Sequence, residues 1–251
     1  MKNRSAPAKC LLMDKILLKD MEAILFDFEG TLVDLQWNLQ RAVNETLEML
    51  RTLGFPIQRL QGMKYSTLML EASRMAQEIG QSTNRIRENI GAIYDRYDGD
   101  ALRRWTLREG SKDLLSVLKT KGIKIGLVSN VGRKALDEAL PKLDLCEFFN
   151  VVVSRDDVQS MKPSGEGLRL ALSRLRVTSD KALYVGDSLD DVLAAKAAGV
   201  KVIIIMGKES SETELLSAGP DQLITHFKEL LTPLTKVTFC KYLIFCPFKE
   251  V

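Results

Sequence analysis

The chain has 251 residues, enough for one large domain or for a core carrying an insert. Hydrophobic residues make up 45% and charged residues 27%, a balance that excludes disordered, collagen-like and membrane-embedded classes. Lys and Arg total 36 against 33 Asp and Glu, so the formal charge of +3 forms no nucleic-acid footprint, and no nucleic-acid partner is expected.

Residues 1–20 lack periodicity and read as an N-terminal arm. Their apolar run, Cys10 to Met13, is broken by Asp14 and Lys15 and is too short for a secretion signal. Cys10, Cys146, Cys240 and Cys246 are scattered without a CxxC pair and read as free thiols. A cytoplasmic location, away from any membrane, is therefore expected. Ala23 to Phe28 is a short apolar run ending in an acidic residue and a Gly-Thr turn, and it predicts a buried strand.

From Trp37 to Trp105 the period becomes helical, with Leu39, Val43, Leu47 and Leu50 on one stripe. Further helices are expected over Met63 to Ile79 and Thr83 to Tyr97. Breaks are expected at Gly54-Phe-Pro56, Gly80 and Asp98-Gly99. Met63, Met69 and Met75 read as core packing of this insert. Arg59, Gln61, Lys64 and Arg74 are expected to select the ligand.

After Gly110, helix and strand alternate. Strands are expected at Ile123 to Val128, Val151 to Val153, Ala182 to Val185, Val200 to Met206 and Gln222 to Ile224. Such alternation implies an α/β fold, a doubly wound parallel sheet with crossover helices. The expected division is core at 21–34 and 106–232, helical cap at 35–105, and a C-terminal extension at 233–251. That extension is rich in β-formers and is expected to pair with the sheet edge or with a second copy, as in a homodimer.

Ligands of an open parallel sheet bind beyond the carboxyl ends of its strands. Four such ends carry Asp27-Phe-Glu-Gly-Thr31, Ser129-Asn130, Lys162-Pro163 and Gly186-Asp-Ser-Leu-Asp-Asp191. Gathered carboxylates raise one another's pKa unless a cation neutralises them, and oxygen donors without a His or Cys cluster point to Mg2+. A metal beside Lys162 attracts a phosphoryl group, on which an aspartate can act as nucleophile.

These four motifs, in this order, resemble those of the haloacid dehalogenase superfamily over residues 23 to 232. The insert and the Gly186 to Gly199 stretch resemble its phosphoglycolate-phosphatase-like branch. The resemblance implies a magnesium-dependent phosphatase acting on a small phosphorylated metabolite through an aspartyl-phosphate. It makes Asp27 nucleophile and metal ligand, with the carbonyl of Glu29 and the carboxylate of Asp187 completing the protein ligands and Asp191 orienting the metal's water. Ser129 and the amide of Asn130 would hold the phosphoryl oxygens, Thr31 would orient the first loop, and Lys162 would offset charge. The family's usual Asp two residues after the nucleophile is replaced by Glu29, here expected to act as general acid and base.

A phosphomutase using the same site, and a catalytically degenerate binding module, are the alternatives. Asp190 reads as a solvated first-turn acid, and the lone His226 as a helix-start or surface residue.

Overall fold

The computed structural model describes residue 18 and residues 20–207 and 210–235. Most of the N-terminal arm and the β-rich end of the C-terminal extension, with the pairing expected of it, lie outside the described residues. Six parallel strands form one sheet: β1 (Ala23–Phe26), β2 (Lys124–Val128), β3 (Val151–Val153), β4 (Ala182–Gly186), β5 (Lys201–Ile205) and β6 (Gln222–Ile224). Their order is β3-β2-β1-β4-β5-β6, so the chain reverses its direction of travel across the sheet at β1 and β4. That reversal puts the ends of β1 and β4 beside each other, where such a sheet opens a crevice.

The near-continuous apolar strands are explained by burial on both faces. Ile24 and Phe26 of β1 point to a layer containing α4 (Ser111–Thr120), α5 (Arg133–Lys142) and α9 (Lys228–Thr235). Ala23 and Leu25 point the other way, to α6 (Glu166–Leu175), α7 (Leu189–Ala198) and α8 (Glu212–Ala218). The fold is thus the doubly wound α/β arrangement expected from alternation. No helix among the described residues is long and apolar enough to cross a membrane.

Between β1 and α4 the chain builds three helices, α1 (Leu39–Thr52), α2 (Tyr65–Glu78) and α3 (Thr83–Ala101). Asn38 caps α1 by accepting from Arg41 N, and Ser82 caps α3 by accepting from Arg85 N. Met69 and Met75 are buried in this insert with Leu68, Ile86, Ile90 and Tyr94, while Met63 packs at its edge. The two chain crossings that join insert and core run side by side. Asp34 N donates to Thr106 O at 3.0 Å, and Arg108 N donates to Leu32 O at 3.0 Å.

One expected break is absent: α3 runs through Asp98-Gly99 to Ala101. A glycine inside a helix costs about 1 kcal/mol relative to alanine, which tertiary contacts outweigh here because Asp98 is buried against the core. β1 ends at Phe26, two residues sooner than expected, because Phe28 O turns back to accept from Leu32 N and Val33 N.

Candidate active site

The turn after β1 places Asp27 at the end of the strand, with its amide still donating to Val185 O at 2.9 Å. Gly30 has φ +85°, and a Cβ there would run into the carboxylate of Asp187, so only glycine lets the two loops approach this closely. Thr31 Oγ1 donates to Asp187 Oδ1 at 3.1 Å and joins those loops. Oxygens of Asp27, Asp187 and Asp191 all lie within 4.8 Å of one another, and all three residues are buried.

Lys162 is the cation inside this group and is 5% exposed. Its Nζ lies 2.6 Å from Asp27 Oδ1 and 2.6 Å from Asp191 Oδ1, and 3.0 Å from the Tyr184 hydroxyl. Its backbone is fixed by a reciprocal pair: Lys162 N donates to Asn130 Oδ1 at 3.0 Å, and Asn130 Nδ2 donates to Lys162 O at 3.1 Å. Ser129 is buried at the end of β2, where its hydroxyl accepts from Val131 N at 3.2 Å.

Asp191 closes a capping box on α7, accepting from Ser188 N at 3.0 Å and Ser188 Oγ at 2.7 Å, while Asp187 N donates to the same Oδ2 at 3.1 Å. Its other oxygen accepts from Lys162 and from the Tyr184 hydroxyl at 2.8 Å. Both oxygens are thus engaged by protein donors. Burial opposes ionisation of Asp191, but Lys162 and these hydrogen bonds hold its pKa below the usual range.

For Asp27, burial wins over the pull of Lys162 and, with the repulsion of Asp191, pushes the pKa up to about 6. Burial alone would lower Lys162, yet Asp191 and Asp27 raise it. Oxygens of three buried carboxylates converge here, so a divalent cation with oxygen preference suits the donors of the set.

Glu29 lies on the insert side. Its Oε1 accepts from Gln36 N, Trp37 N and Trp105 Nε1, each at 2.8 Å, and so ties together both crossings of the chain. Burial lifts its pKa to about 7 against the effect of these hydrogen bonds, and Asp98 adds to the rise. A small pocket between insert and core is lined by Asp27, Glu29, Trp37, Tyr65, Asp98, Ser129, Asn130, Lys162 and Asp190. Its free volume of about 30 Å³ holds roughly two waters.

Two expectations require correction. Asp190 is only 5% exposed rather than solvated, because its Oδ2 accepts from Ser66 Oγ of α2 at 2.5 Å, and Lys64 Nζ lies 3.8 Å from its other oxygen. Of the four residues expected to select the ligand, none lines the pocket. Arg59 pairs with Glu78 at 2.9 Å and Glu71 at 3.6 Å, Arg74 pairs with Glu71 at 3.1 Å, Gln61 is exposed, and Lys64 stops at Asp190. His226 is exposed at the start of the final turn, with its amide donating to Glu229.

The site residues that sequence reasoning missed, Trp37, Tyr65, Asp98 and Asp190, all come from the seam between insert and core. For Asp98 a signal existed. It continues the Ile86, Ile90, Tyr94 stripe at four-residue spacing, a polar residue on a buried face.

The family profile described as Haloacid dehalogenase-like hydrolase matches residues 24–205, spanning every one of these loops. The chain belongs to this family. A phosphoglycolate phosphatase from Salmonella choleraesuis is 33% identical over 242 residues, which is 88% of this chain and 95% of the relative. Among solved structures, CbbY from Rhodobacter sphaeroides in complex with phosphate is 26% identical. It covers 85% of this chain and 99% of its own, with a TM-score of 0.56. A β-phosphoglucomutase candidate from Thermotoga maritima is 28% identical, covering 86% and 100%, with a TM-score of 0.58. With this haloacid dehalogenase-like membership and these relatives, the chain is an enzyme of the phosphoric monoester hydrolase class.

Proposed function

We propose that the chain hydrolyses a small phosphorylated metabolite through an aspartyl-phosphate on Asp27, with Mg2+ as cofactor. The observation that carries this reading is the buried group in which Lys162 lies 2.6 Å from both Asp27 and Asp191 while Asp187 stands within 4.8 Å of both. Asp27, Asp187 and the backbone carbonyl of Glu29 would hold the metal, with Asp191 behind them locking the Asp187 loop and Lys162. When bound, the metal supplies charge neutralisation that lets an anionic nucleophile meet an anionic phosphoryl group.

Asp27 attacks phosphorus in line. Lys162, the Ser129 hydroxyl and the Asn130 amide hold the phosphoryl oxygens as charge shifts toward the leaving oxygen. Glu29 supplies the proton. With Oε1 accepting three hydrogen bonds, the proton of its neutral form resides on Oε2, which is left to donate to the departing alcohol. A pKa of about 7 keeps a large neutral fraction at neutral pH, as general acid catalysis requires. The resulting carboxylate then takes a proton from the water that attacks the aspartyl-phosphate, returning Asp27.

Phosphoglycolate, named for the Salmonella relative, is the first ester to assay, beside alkyl phosphates whose alcohols carry no second charge. Inorganic phosphate release with Mg2+ from such a panel is expected for the wild type. Asp27→Asn should lose at least about 10³-fold in rate. Transfer of the phosphoryl group to a sugar, without net release, would favour the phosphomutase; no turnover on any ester would favour the binding module.

A further inference from the structure

Arg155, on the 3-10 turn Arg155–Asp157 that follows β3, is 3% exposed, a position arginine almost never occupies unless paired. Its guanidinium meets Asp98 Oδ2 of α3 at 3.0 Å, touches the Asp95 carboxylate and lies over the Tyr94 ring, 5.6 Å from its centroid. All three of these partners belong to the insert.

The same guanidinium donates through Nη1 to Asn130 O at 3.0 Å, and Arg155 N donates to Val131 O at 3.1 Å. Asp98 reaches the same loop from the other side, where its Oδ2 accepts from Gly132 N at 2.9 Å. A Cβ at Gly132 would meet the Arg155 guanidinium and the Asp95 carboxylate, so a side chain there would push these two groups aside. An unbroken chain of polar contacts therefore runs from Asp98 through Arg155 and Asn130 to Lys162 and Asp27.

Core filling alone does not account for this arrangement. A buried ion pair has a large desolvation cost, and Arg155 Nε is left without a hydrogen-bond acceptor among the described residues. The pocket is walled by Trp37, Tyr65 and Asp98 of the insert and by Asp27, Ser129 and Lys162 of the core, so the position of the insert governs access to the site.

We propose that Asp98 and Arg155 are positioning residues: a clasp between α3 and the 129–132 loop that sets the phosphoryl-holding geometry of Ser129 and Asn130 only when the insert is closed on the core. When the insert is away, Gly132 N–H loses Asp98 and the guanidinium keeps only its core contacts to Asn130 O and Asp156, so the loop relaxes. When it returns, the grip on the phosphoryl group forms together with the exclusion of water. The inference rests on the proposed role of Ser129 and Asn130 in holding that group.

The test is the double variant Asp98→Leu/Arg155→Met, compared with Arg155→Met, Arg155→Lys and wild type. Replacing both charges by apolar groups of similar size is often neutral for stability, so the double variant is expected to melt near wild type even where Arg155→Met alone does not fold. Its kcat on an alkyl phosphate should still fall by about 10- to 100-fold. Inhibition by inorganic phosphate should weaken, and amide exchange across 129–132 should accelerate. Arg155→Lys, which keeps the charge but not the fork, should fall between the two. A double variant with wild-type kcat, phosphate inhibition and loop exchange would show the pair to be structural only and overturn the proposal. If wild type releases no phosphate from any ester, the functional reading fails by itself. Loop exchange then still decides the clasp: acceleration in the double variant supports it, and unchanged exchange overturns it.

Discussion

The acidic group at the ends of β1 and β4 and the seam between insert and core are built on opposite electrostatic plans. In the first, Asp27 and Asp191 both close on Lys162 with Asp187 beside them, and burial, with the repulsion of Asp191, pushes the Asp27 pKa up to about 6 against the pull of Lys162. In the second, each acid has its own protein partner: Asp98 has Arg155, Asp190 has Ser66 and Lys64, and Glu29 has two backbone amides and an indole. In the first region three carboxylates crowd one buried space, whereas in the second Asp98 and Asp190 each meet a cation from another element and Glu29 meets neutral donors. A crowded group is poised for a ligand, whereas a paired one holds a conformation.

The largest effect expected at the boundary of the two regions is that of Glu29→Gln. It keeps an acceptor for Trp105 but removes the transferable proton, so alkyl-phosphate turnover should fall by about 10²- to 10⁴-fold. Aryl phosphates, whose leaving groups need little protonation, should lose far less in their first turnover. Equal losses on both classes would make Glu29 a seam residue alone.

The crowding itself predicts a metal effect on stability that needs no substrate. At a concentration a hundred times its dissociation constant, Mg2+ should add roughly 2.7 kcal/mol and raise Tm by several degrees. Asp187→Ala should abolish that rise, and a Tm insensitive to Mg2+ in wild type would break the contrast between the two regions.

On the seam, Ser66→Ala leaves Asp190 with only the more distant Lys64, at a cost of about 2 kcal/mol, and should loosen the insert. Tryptophan fluorescence would report it, since Trp37 and Trp105 both stand at the seam. A red-shifted emission is expected, and an unchanged spectrum would place Ser66 outside the closure.

The smallest effect concerns Asp157, which steadies the turn bearing Arg155. Burial would raise its pKa, but the Ser154 hydroxyl and amide and the Arg133 guanidinium prevail and hold it at about 2. A carboxylate depressed in the folded state contributes stability above its unfolded pKa of about 3.9, and the contribution is lost as pH falls through about 2. Asp157→Asn should therefore cost on the order of 1 kcal/mol at pH 7 and only a small part of that near pH 2 in thermal melts. An equal cost at both pH values would assign the loss to packing.

Legibility in the sequence divides along the same line. Asp27, Ser129 and Asp187 each directly follow an apolar strand run and Lys162 lies in the connection after the third, and parallel topology brings strand ends together, so these four could be found by reading outward from the strands. The seam depends on how three helices dock, which no local period encodes. Asp190 has the sequence context of an ordinary first-turn acid and becomes buried only because α2 arrives over it. Arg59 and Arg74 look like ligand selectors as isolated charges, but Glu71 and Glu78 on the same outer face engage them. Gly99 gives a local signal to stop a helix, overruled by the burial of Asp98 next to it. Arg155 sits in a turn among acids, where nothing in the chain foretells that its guanidinium will point inward.

The central claim, covalent catalysis by Asp27, is tested most directly by mixing the enzyme with Mg2+ and an aryl phosphate, quenching in acid within one turnover and mapping peptides by mass spectrometry. A phosphoryl group on the peptide that carries Asp27, absent from Asp27→Asn, is the expected result. Rapid phosphate release with no such adduct, from a wild type and an Asp27→Asn variant of equal activity, would contradict the account.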